Sequence, residues 1–458
     1  MITDVVVLAA GKGTRMYSQR PKVLQDLGGR PLLQHVLESA GALSHVRHIH
    51  VVLGHCADAV RAHFEGWNLH WWLQDGQRGT GDAVAAAAEG FADAQRILVL
   101  YGDVPLLQAK TLQEFLDTIA ERELGILTGV LQAPQGYGRI LRDGTDTILG
   151  IREERDCRDE DERRITEVNL GVMILPVAEL RSWLPRLQPH NAQGEIYLTD
   201  VVTLAVSERV PVRAFCLADP TEASGVNDAL QLEAVERLYQ KRRLEALMRS
   251  GLRVRDRSRV DIRGDFRCGE DCSLDVNVVC EGSVHLGKGV RVGAGVHLKD
   301  VSVADDVEIL PYSVIEGAQL GQGARVGPFA RIRPRSVIGA AAHIGNFVEV
   351  KAVELGAGSK ANHLSYLGDA RIGAGVNVGA GVITCNYDGA NKHHTEIGDG
   401  VFIGSDSQLI APLQVGAGAT IGAGSTITRD VPEGGLTLSR SPQRYVAHWR
   451  RPTKKTRD

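Results

Sequence analysis

Between Leu320 and Ile427 the chain repeats itself with a period of six, and no other feature limits its fold so sharply. Aliphatic–glycine pairs stand at Leu320-Gly321, Val326-Gly327, Ile338-Gly339 and Ile344-Gly345, with Ile332 filling the gap. Further on, Ile397, Ile403, Leu409, Val415, Ile421 and Ile427 keep the spacing of six without error. Six is neither the 3.6-residue turn of a helix nor the two-residue alternation of a single strand. It is the period of a parallel β-helix, whose short strands turn corners and whose repeats each send one aliphatic side chain inward. Successive coils stack about 4.8 Å apart, the ordinary spacing of hydrogen-bonded strands. Handedness does not follow from spacing. Coils bury their interior and leave outer faces, so neighbouring copies can pack side by side.

The first half obeys other rules. Only 21 of the 52 glycines lie in residues 1–250, although that is the longer part. Strand-like runs alternate with helical ones: DVVVLAA, PLLQHVLESAGAL, HIHVVLG, GDAVAAAAEGFA, RILVLYGD. That alternation predicts an α/β domain with a mainly parallel sheet. The run from Asp228 to Ser250 has helical spacing, starts near Asn227 or Asp228 and stops at Gly251. The expected organisation is therefore an α/β domain over 1–227, a connecting helix over 228–250 and a β-helix over 251–458.

A net charge of −4, with no long basic block before the tail WRRPTKKTRD, argues against nucleic acid as a partner. No apolar run reaches membrane-spanning length, and the N-terminus has no basic segment leading into an apolar stretch. The seven cysteines include no C-x-x-C pair, which fits reduced thiols in a cytoplasmic protein. Cys268 and Cys272 read as packing residues.

Two regions carry chemistry. LAAGKGTRMYSQRPK, residues 8–22, follows a strand and holds Lys12, Arg15 and Lys22 in a glycine turn. It fits neither the P-loop nor the dinucleotide fingerprint. Such a turn either cradles phosphate with backbone N–H groups or simply holds solvated basic residues. RILVLYGDVPLL ends a strand at Asp103, where an aspartate can hold Mg²⁺ on a nucleotide or merely start a turn. QDGQRGTGDA is a second glycine-rich loop, or a helix start capped by Thr80. In the second half the hexad rhythm slips between Ile344 and Ile397. Leu355-Gly356 comes eleven residues after Ile344-Gly345, and Ile372-Gly373 five after Leu367-Gly368. Within and beside this window lie Arg333, Lys351, His363, Tyr366, Asn386 and Tyr387. Those residue types suit a base acting beside a bound phosphate, although solenoids also tolerate insertions.

Taken together, LAAGKGTRM…PK, QRGTGDA, YGDVPL, GYGRI, EVNLG and GVND resemble the sugar-1-phosphate nucleotidyltransferases. Joined to hexads bearing GPFARIRP, GNFVEVK, NHLSYLGDA and ITCNYDG, the whole chain resembles one family. These are the bacterial bifunctional N-acetylglucosamine-1-phosphate uridyltransferases and glucosamine-1-phosphate acetyltransferases. The resemblance implies a Rossmann-like nucleotidyltransferase domain joined by a helix to a left-handed β-helix. It also implies a cytoplasmic homotrimer with acetyltransferase sites between subunits, and no membrane partner. Acetyl-CoA would acetylate glucosamine-1-phosphate. The N-acetylglucosamine-1-phosphate so formed would react with UTP and Mg²⁺, giving pyrophosphate and UDP-N-acetylglucosamine, a precursor of peptidoglycan and lipopolysaccharide.

By the same resemblance Leu8, Ala9, Ala10 and Gly11 cradle UTP, with Arg15 on its phosphates and Lys22 neutralising charge during attack. Asp103, flanked by Tyr101 and Gly102, would hold the metal with Asn227. Gln74, Gly79 and Thr80 would read uracil, and Gly138, Glu153 and Asn169 would bind the sugar. Arg333, Lys351, Tyr366 and Asn377 would hold the second sugar phosphate. His363 would be the base and Asn386 an oxyanion donor. Ala380, Asn386, Tyr387, Ser405, Ala423 and Arg440 would line acetyl-CoA, with the basic tail aiding its phosphates. Three positions depart from the expected pattern: Arg78 and Asp82 in the uracil loop, and Leu170 where threonine is common. The competing reading is a single-activity nucleotidyltransferase whose β-helix only oligomerises.

Overall fold

The run DVVVLAA becomes the strand Thr3–Ala9, and every residue of it is buried. Val5 and Val7 point into one hydrophobic cluster, while Val6 and Leu8 point into another on the opposite face. A strand covered on both sides has no polar face to show, which is why the run is continuously apolar. It pairs in parallel with Val46–Leu53 and with Arg96–Tyr101. His70–Leu73 continues the sheet in parallel beyond Val46–Leu53. On the other side Glu167–Pro176 runs antiparallel between Arg96–Tyr101 and Leu124–Val130, so the nine-stranded sheet is mixed. The three central parallel strands end together at Ala9, Leu53 and Tyr101, the edge where ligands sit in open α/β sheets.

This computed structural model describes residues 1–76 and 78–454; Gln77 of the second glycine-rich loop and the last four residues of the basic tail lie outside the described residues. The chain forms two compact units, Met1–Tyr239 and Gln240 onward. The expected connecting helix spans Ala229–Arg249, with the Asp228 carboxylate accepting from the N–H of Gln231 at 2.9 Å. Within the first unit Leu232, Val235, Leu238 and Tyr239 pack around Leu27 and Leu32. Within the second, Leu244 enters the solenoid core, and Gln240 exchanges two hydrogen bonds with the backbone of Ile262.

One expectation for the first unit needs correction, and one alternative is closed. The helix read from GDAVAAAAEGFA covers only Thr80–Ala86. Beyond it the chain turns, and Gly90 passes so close to Trp72 and His50 that a Cβ would stand 2.2 Å from the indole. Nor does Thr80 cap that helix. Gly79 holds the cap position, and the Thr80 hydroxyl accepts from the N–H of Leu198 at 2.9 Å instead.

The second unit is the β-helix. Its strands fall into an eleven-stranded sheet, one face, and a fourteen-stranded sheet that bends to make the other two. All ladders between successive coils are parallel, and the hexad aliphatics line one continuous core from Leu252 to Val431. Cys272 is buried in that core and Cys268 packs against it. The irregular rhythm has one place. Ile332 pairs with Val350 eighteen residues later, but Val350 pairs with Leu367 after only seventeen. The missing residue comes from the corner occupied in turn by Arg335, Ala352 and Asp369, all at positive φ. One coil later the same corner grows into a loop between Ile383–Cys385 and Thr395–Ile397.

Candidate functional site

In the first unit the loops at the carboxyl edge enclose a cavity of about 540 Å³. Leu8, Ala9, Ala10 and Gly11 form one wall, Gln74, Gly79 and Thr80 another, and Lys22, Tyr101, Asp103 and Asn227 complete it. Local geometry demands the glycines. Gly13 has φ of 61°, and a Cβ on it would stand 2.7 Å from Cβ of Lys22, so the turn can fold onto Lys22 only without a side chain. At Gly79, φ is 125° and a Cβ would lie 2.5 Å from the carbonyl oxygen of Ile196. Lys12, Val23, Ala83 and Glu195 also line the cavity and were not assigned to it from sequence.

At the floor the Lys22 ammonium donates to the Asp103 carboxylate and lies 3.3 Å from Oδ1 of Asn227. Both members of the ion pair are largely buried, at 11 and 17 % exposure. The backbone N–H of Val226 on the Asp103 carbonyl, 2.9 Å, brings Asn227 to this point. A carboxylate and an amide oxygen converging on a cation form a hard-oxygen set. Two protein oxygens are what Mg²⁺ takes when substrate phosphates and water complete its shell. Tyr101 forms the side wall; desolvation and the charges of Glu153 and Asp103 push its phenol up, so it remains a hydrogen-bond donor.

Not every expected residue reaches this cavity. Arg15 is exposed on the short turn Thr14–Met16 and does not line it. Gly102 lies behind the wall, its N–H given to the carbonyl of Leu8 at 2.9 Å. Gly138, Glu153 and Asn169 gather as a second cluster. Asn169 pairs with Gly138, and a Cβ on Gly138 would lie 3.3 Å from both Glu153 carboxylate oxygens. Burial pushes the Glu153 carboxyl up, and Thr199, not foreseen from sequence, donates to it at 3.0 Å. Leu170 is a core residue against Gly129.

In the β-helix His363 ends the strand Lys360–His363 at the corner between two faces. Its Nδ1 lies 3.0 Å from Oδ1 of Asn346 on the preceding coil. An amide oxygen only accepts, so the proton sits on Nδ1 and the Nε2 lone pair is left as a base. Asn346 was missed in the sequence because only coil stacking brings it over His363. Below this rung the corner continues through Ala380, Ser405 and Ala423. Asp406 N–H donates to the Ala380 carbonyl at 2.7 Å, and Gly424 N–H to that of Ser405 at 2.8 Å. Arg440 closes the column by donating to the carbonyl of Ala423 at 3.0 Å.

Around the next face and its irregular corner, Arg333 binds Glu349 at 2.8 Å, and Lys351 lies 3.6 Å from the Asp369 carboxylate. Asn386 donates to the same carboxylate. Lys392, another residue missed in sequence, reaches in from the inserted loop and touches Lys351. That contact lifts Lys351 and lowers Lys392 relative to an ordinary lysine, with Asp369 helping to hold Lys351 charged. Arg333, Lys351 and Lys392 bring three basic side chains to one corner, a set whose charge suits an anionic ligand. Tyr387 stands exposed on the loop, its hydroxyl on the carbonyl of Gly389. Asn377 is not brought to this cluster: its strand belongs to the eleven-stranded sheet, whereas Lys351 and Tyr366 belong to the other. Facing outward from different sides of a prism, they cannot meet on one ligand within one chain.

Comparison with known proteins follows the same division. The chain matches the model of the MobA-like NTP transferase domain over residues 5–196. It matches that of the GMPPB C-terminal domain over 262–355 and that of the bacterial transferase hexapeptide (six repeats) over 394–429. It is 62% identical over 452 residues to the Bifunctional protein GlmU of Acidithiobacillus ferrooxidans, covering 99% of each chain. To the Bifunctional protein GlmU of Alkalilimnicola ehrlichii it is 52% identical, covering 98% of this chain and 96% of that one.

Proposed function

The chain belongs to the family of bifunctional GlmU proteins, and from that premise we propose how its two units divide two reactions. It is a bifunctional enzyme of UDP-N-acetylglucosamine synthesis, which feeds cell-wall assembly. The second unit acetylates glucosamine-1-phosphate from acetyl-CoA, and the first joins N-acetylglucosamine-1-phosphate to UTP with release of pyrophosphate.

In the first unit UTP lies in the cavity with its phosphates against the turn Ala9–Lys12. The sugar phosphate, held by Gly138, Glu153 and Asn169, attacks the α-phosphorus in line. Such a transfer needs positioning and cations more than covalent help. Lys22, pre-set between Asp103 and Asn227, supplies one fixed positive charge. Asp103 and Asn227 would hold Mg²⁺, which when bound neutralises charge on the triphosphate. Arg15, on its exposed turn, reaches the phosphates from the open side.

In the second unit glucosamine-1-phosphate places its phosphate on Arg333, Lys351 and Lys392, beside Tyr366. The Nε2 of His363 takes a proton as the amine attacks the thioester carbonyl, and Asn386 stabilises the oxyanion that forms. Acetyl-CoA runs down the corner from His363 past Ala380, Ser405 and Ala423 to Arg440, with Tyr387 beside it. Because Asn377 faces away from Lys351 and Tyr366 in a single chain, the reading places the site between copies of a homotrimer. The cytoplasm, where acetyl-CoA and UTP are available, is its compartment; among the described residues no helix is long and apolar enough to cross a membrane.

One observation carries the second activity against a merely structural β-helix. His363 has its proton fixed on Nδ1 at the head of a column of small residues, an arrangement oligomerisation does not need. The test follows CoA thiol release from acetyl-CoA and glucosamine-1-phosphate in the parent and in His363→Ala. Release by the parent and its collapse in the variant are expected. Equal rates in both would return the β-helix to a scaffold.

A further inference from the structure

The base wall of the cavity turns on which way one amide points. Gln74 follows the strand His70–Leu73, is 6 % exposed and lines the cavity. Its Nε2 donates twice, to the carbonyl of Gly79 at 2.9 Å and to Oδ2 of Asp82 at 2.8 Å. A carbonyl and a carboxylate are acceptors only, and an amide nitrogen has just two hydrogens. Both are therefore used on the protein side, and the orientation of the amide follows from its partners. Among the described residues nothing donates to Oε1. Asp82 is itself held, its other oxygen taking the Arg78 guanidinium at 2.7 Å, with the carboxylate side chain only 11 % exposed. These are two of the three positions at which the chain departs from the pattern its motifs suggest.

We propose that Asp82 is a positioning residue that sets base selectivity in this cavity. By holding Nε2 it makes Gln74 a pure acceptor toward the ligand. Uracil presents a ring N–H at N3, which that acceptor can take. Cytosine presents a lone pair at N3, which meets Oε1 acceptor to acceptor and leaves two buried polar atoms unpaired. A site built to pair with a ring N–H rejects the analogue that lacks one far better than an apolar pocket does. A glutamine free to turn would offer Nε2 to cytosine instead. The Gly79 carbonyl alone supplies a neutral anchor, whereas Asp82 supplies the charge-assisted one. The inference rests on the reading of this cavity as the UTP site with Gln74 against the base.

The test measures pyrophosphate release by the full chain with N-acetylglucosamine-1-phosphate, Mg²⁺ and either UTP or CTP. It compares the parent with Asp82→Ala, Asp82→Asn and Gln74→Ala. Urea unfolding followed by the fluorescence of Trp67, Trp71, Trp72 and Trp183 reports that the first unit is intact; if the alanine variant fails that control, Asp82→Ser, too short to reach Gln74, replaces it. The expected result is a fall of about tenfold or more in the UTP-to-CTP ratio of kcat/KM for Asp82→Ala. Asp82→Asn, whose amide oxygen can still accept from Nε2, retains the ratio. Equal losses for both nucleotides in Asp82→Ala, or a parent that does not discriminate, would overturn the proposal. If Gln74→Ala loses discrimination while Asp82→Ala keeps it, the positioning role alone falls. If neither variant changes the ratio, the base contact at Gln74 falls with it.

Discussion

Asp4→Asn should weaken the first unit without touching its chemistry, because Asp4 sits at the far end of the strand whose other end forms the cavity. Its side chain is wholly buried. Arg47 grips both oxygens, at 3.0 and 2.7 Å, and Nε2 of His50 lies 3.2 Å from one of them. The Trp72 indole donates to Nδ1 of His50 at 3.0 Å, which leaves the imidazole proton on Nε2, aimed at the carboxylate. Burial alone would raise Asp4, but the hydrogen bonds from His50 and Arg47 and the charge of Arg47 outweigh it and bring the carboxyl to about 2. A descent from 3.8 to about 2 is worth about 2.5 kcal/mol. Since the folded value is the lower one, this stability is complete at neutral pH and is lost as pH falls from 3.8 through about 2. Asn cannot contribute it at any pH. Urea unfolding should therefore show the variant weaker by about 2.5 kcal/mol at pH 7, and by roughly half as much at pH 3. Tryptophan fluorescence is the assay, because Trp67, Trp71, Trp72 and Trp183 lie in this unit and only Trp449 lies outside it. A gap unchanged between pH 7 and pH 3 would refute the electrostatic argument and assign the loss to shape.

The other expectations concern activity. Lys22→Ala or Asp103→Ala should abolish pyrophosphate release and spare CoA release, since each proposed site draws its residues from one unit; loss of both activities in a folded variant would contradict this. Lys392→Ala should raise KM for glucosamine-1-phosphate several-fold with a smaller change in kcat, because it removes one of three cations facing the phosphate; an unchanged KM would take Lys392 out of the anion site. Gly345→Ala should cut CoA release by about tenfold or more, since its Cβ would stand 2.0 Å from the carbonyl oxygen of Asn362, next to His363. Pyrophosphate release in the same protein should hold, and full acetyl transfer would show that the coils can part there without moving His363.

The solenoid could be read in advance because its period is a consequence of strand length and corner geometry, so Ile397 to Ile427 declare it without help. The lining of the first unit's cavity was legible for a different reason: Leu8 to Gly11, Gln74, Gly79, Thr80 and Asp103 lie at or shortly after a strand end, where the sheet delivers them to one edge. Lys12, Val23 and Ala83 escaped although they adjoin assigned residues, and the rest of what escaped arrives from a distance. Glu195 and Thr199 reach the first unit's sites from a loop and the short 3-10 turn Leu198–Asp200 that follows it, neither with a period to read. Lys392 enters from an insertion, and Asn346 meets His363 only because coils seventeen residues apart stack. Of the two readings left open for Thr80, the cap is closed because a tertiary partner, Leu198, takes its hydroxyl. Asn377 lies on a different face of the coil from Lys351 and Tyr366, so only a site shared between copies, as proposed, can unite them.

The corner that carries His363 also shows how a featureless repeat acquires a direction. Above that rung the corner residues are large and apolar: Tyr312, Phe329, Phe347 and Leu364 are 48 to 62 % exposed and all adopt positive φ. Their rings stack at 5.2 and 5.4 Å, filling the corner from coil to coil. From the next rung down the same positions hold Gly381, Asp406 and Gly424, joined by hydrogen bonds to the backbone of Leu364, Ala380 and Ser405. A long, thin substrate laid along this edge finds a slot on one side of His363 and a ridge on the other. The backbone pays for bulky residues at positive φ only above the histidine, where the slot has to stop. On the proposed reading, chemistry sits at the rung where side-chain volume changes, and the shape of the corner would bring the thioester end of acetyl-CoA to Nε2 before any charge is considered.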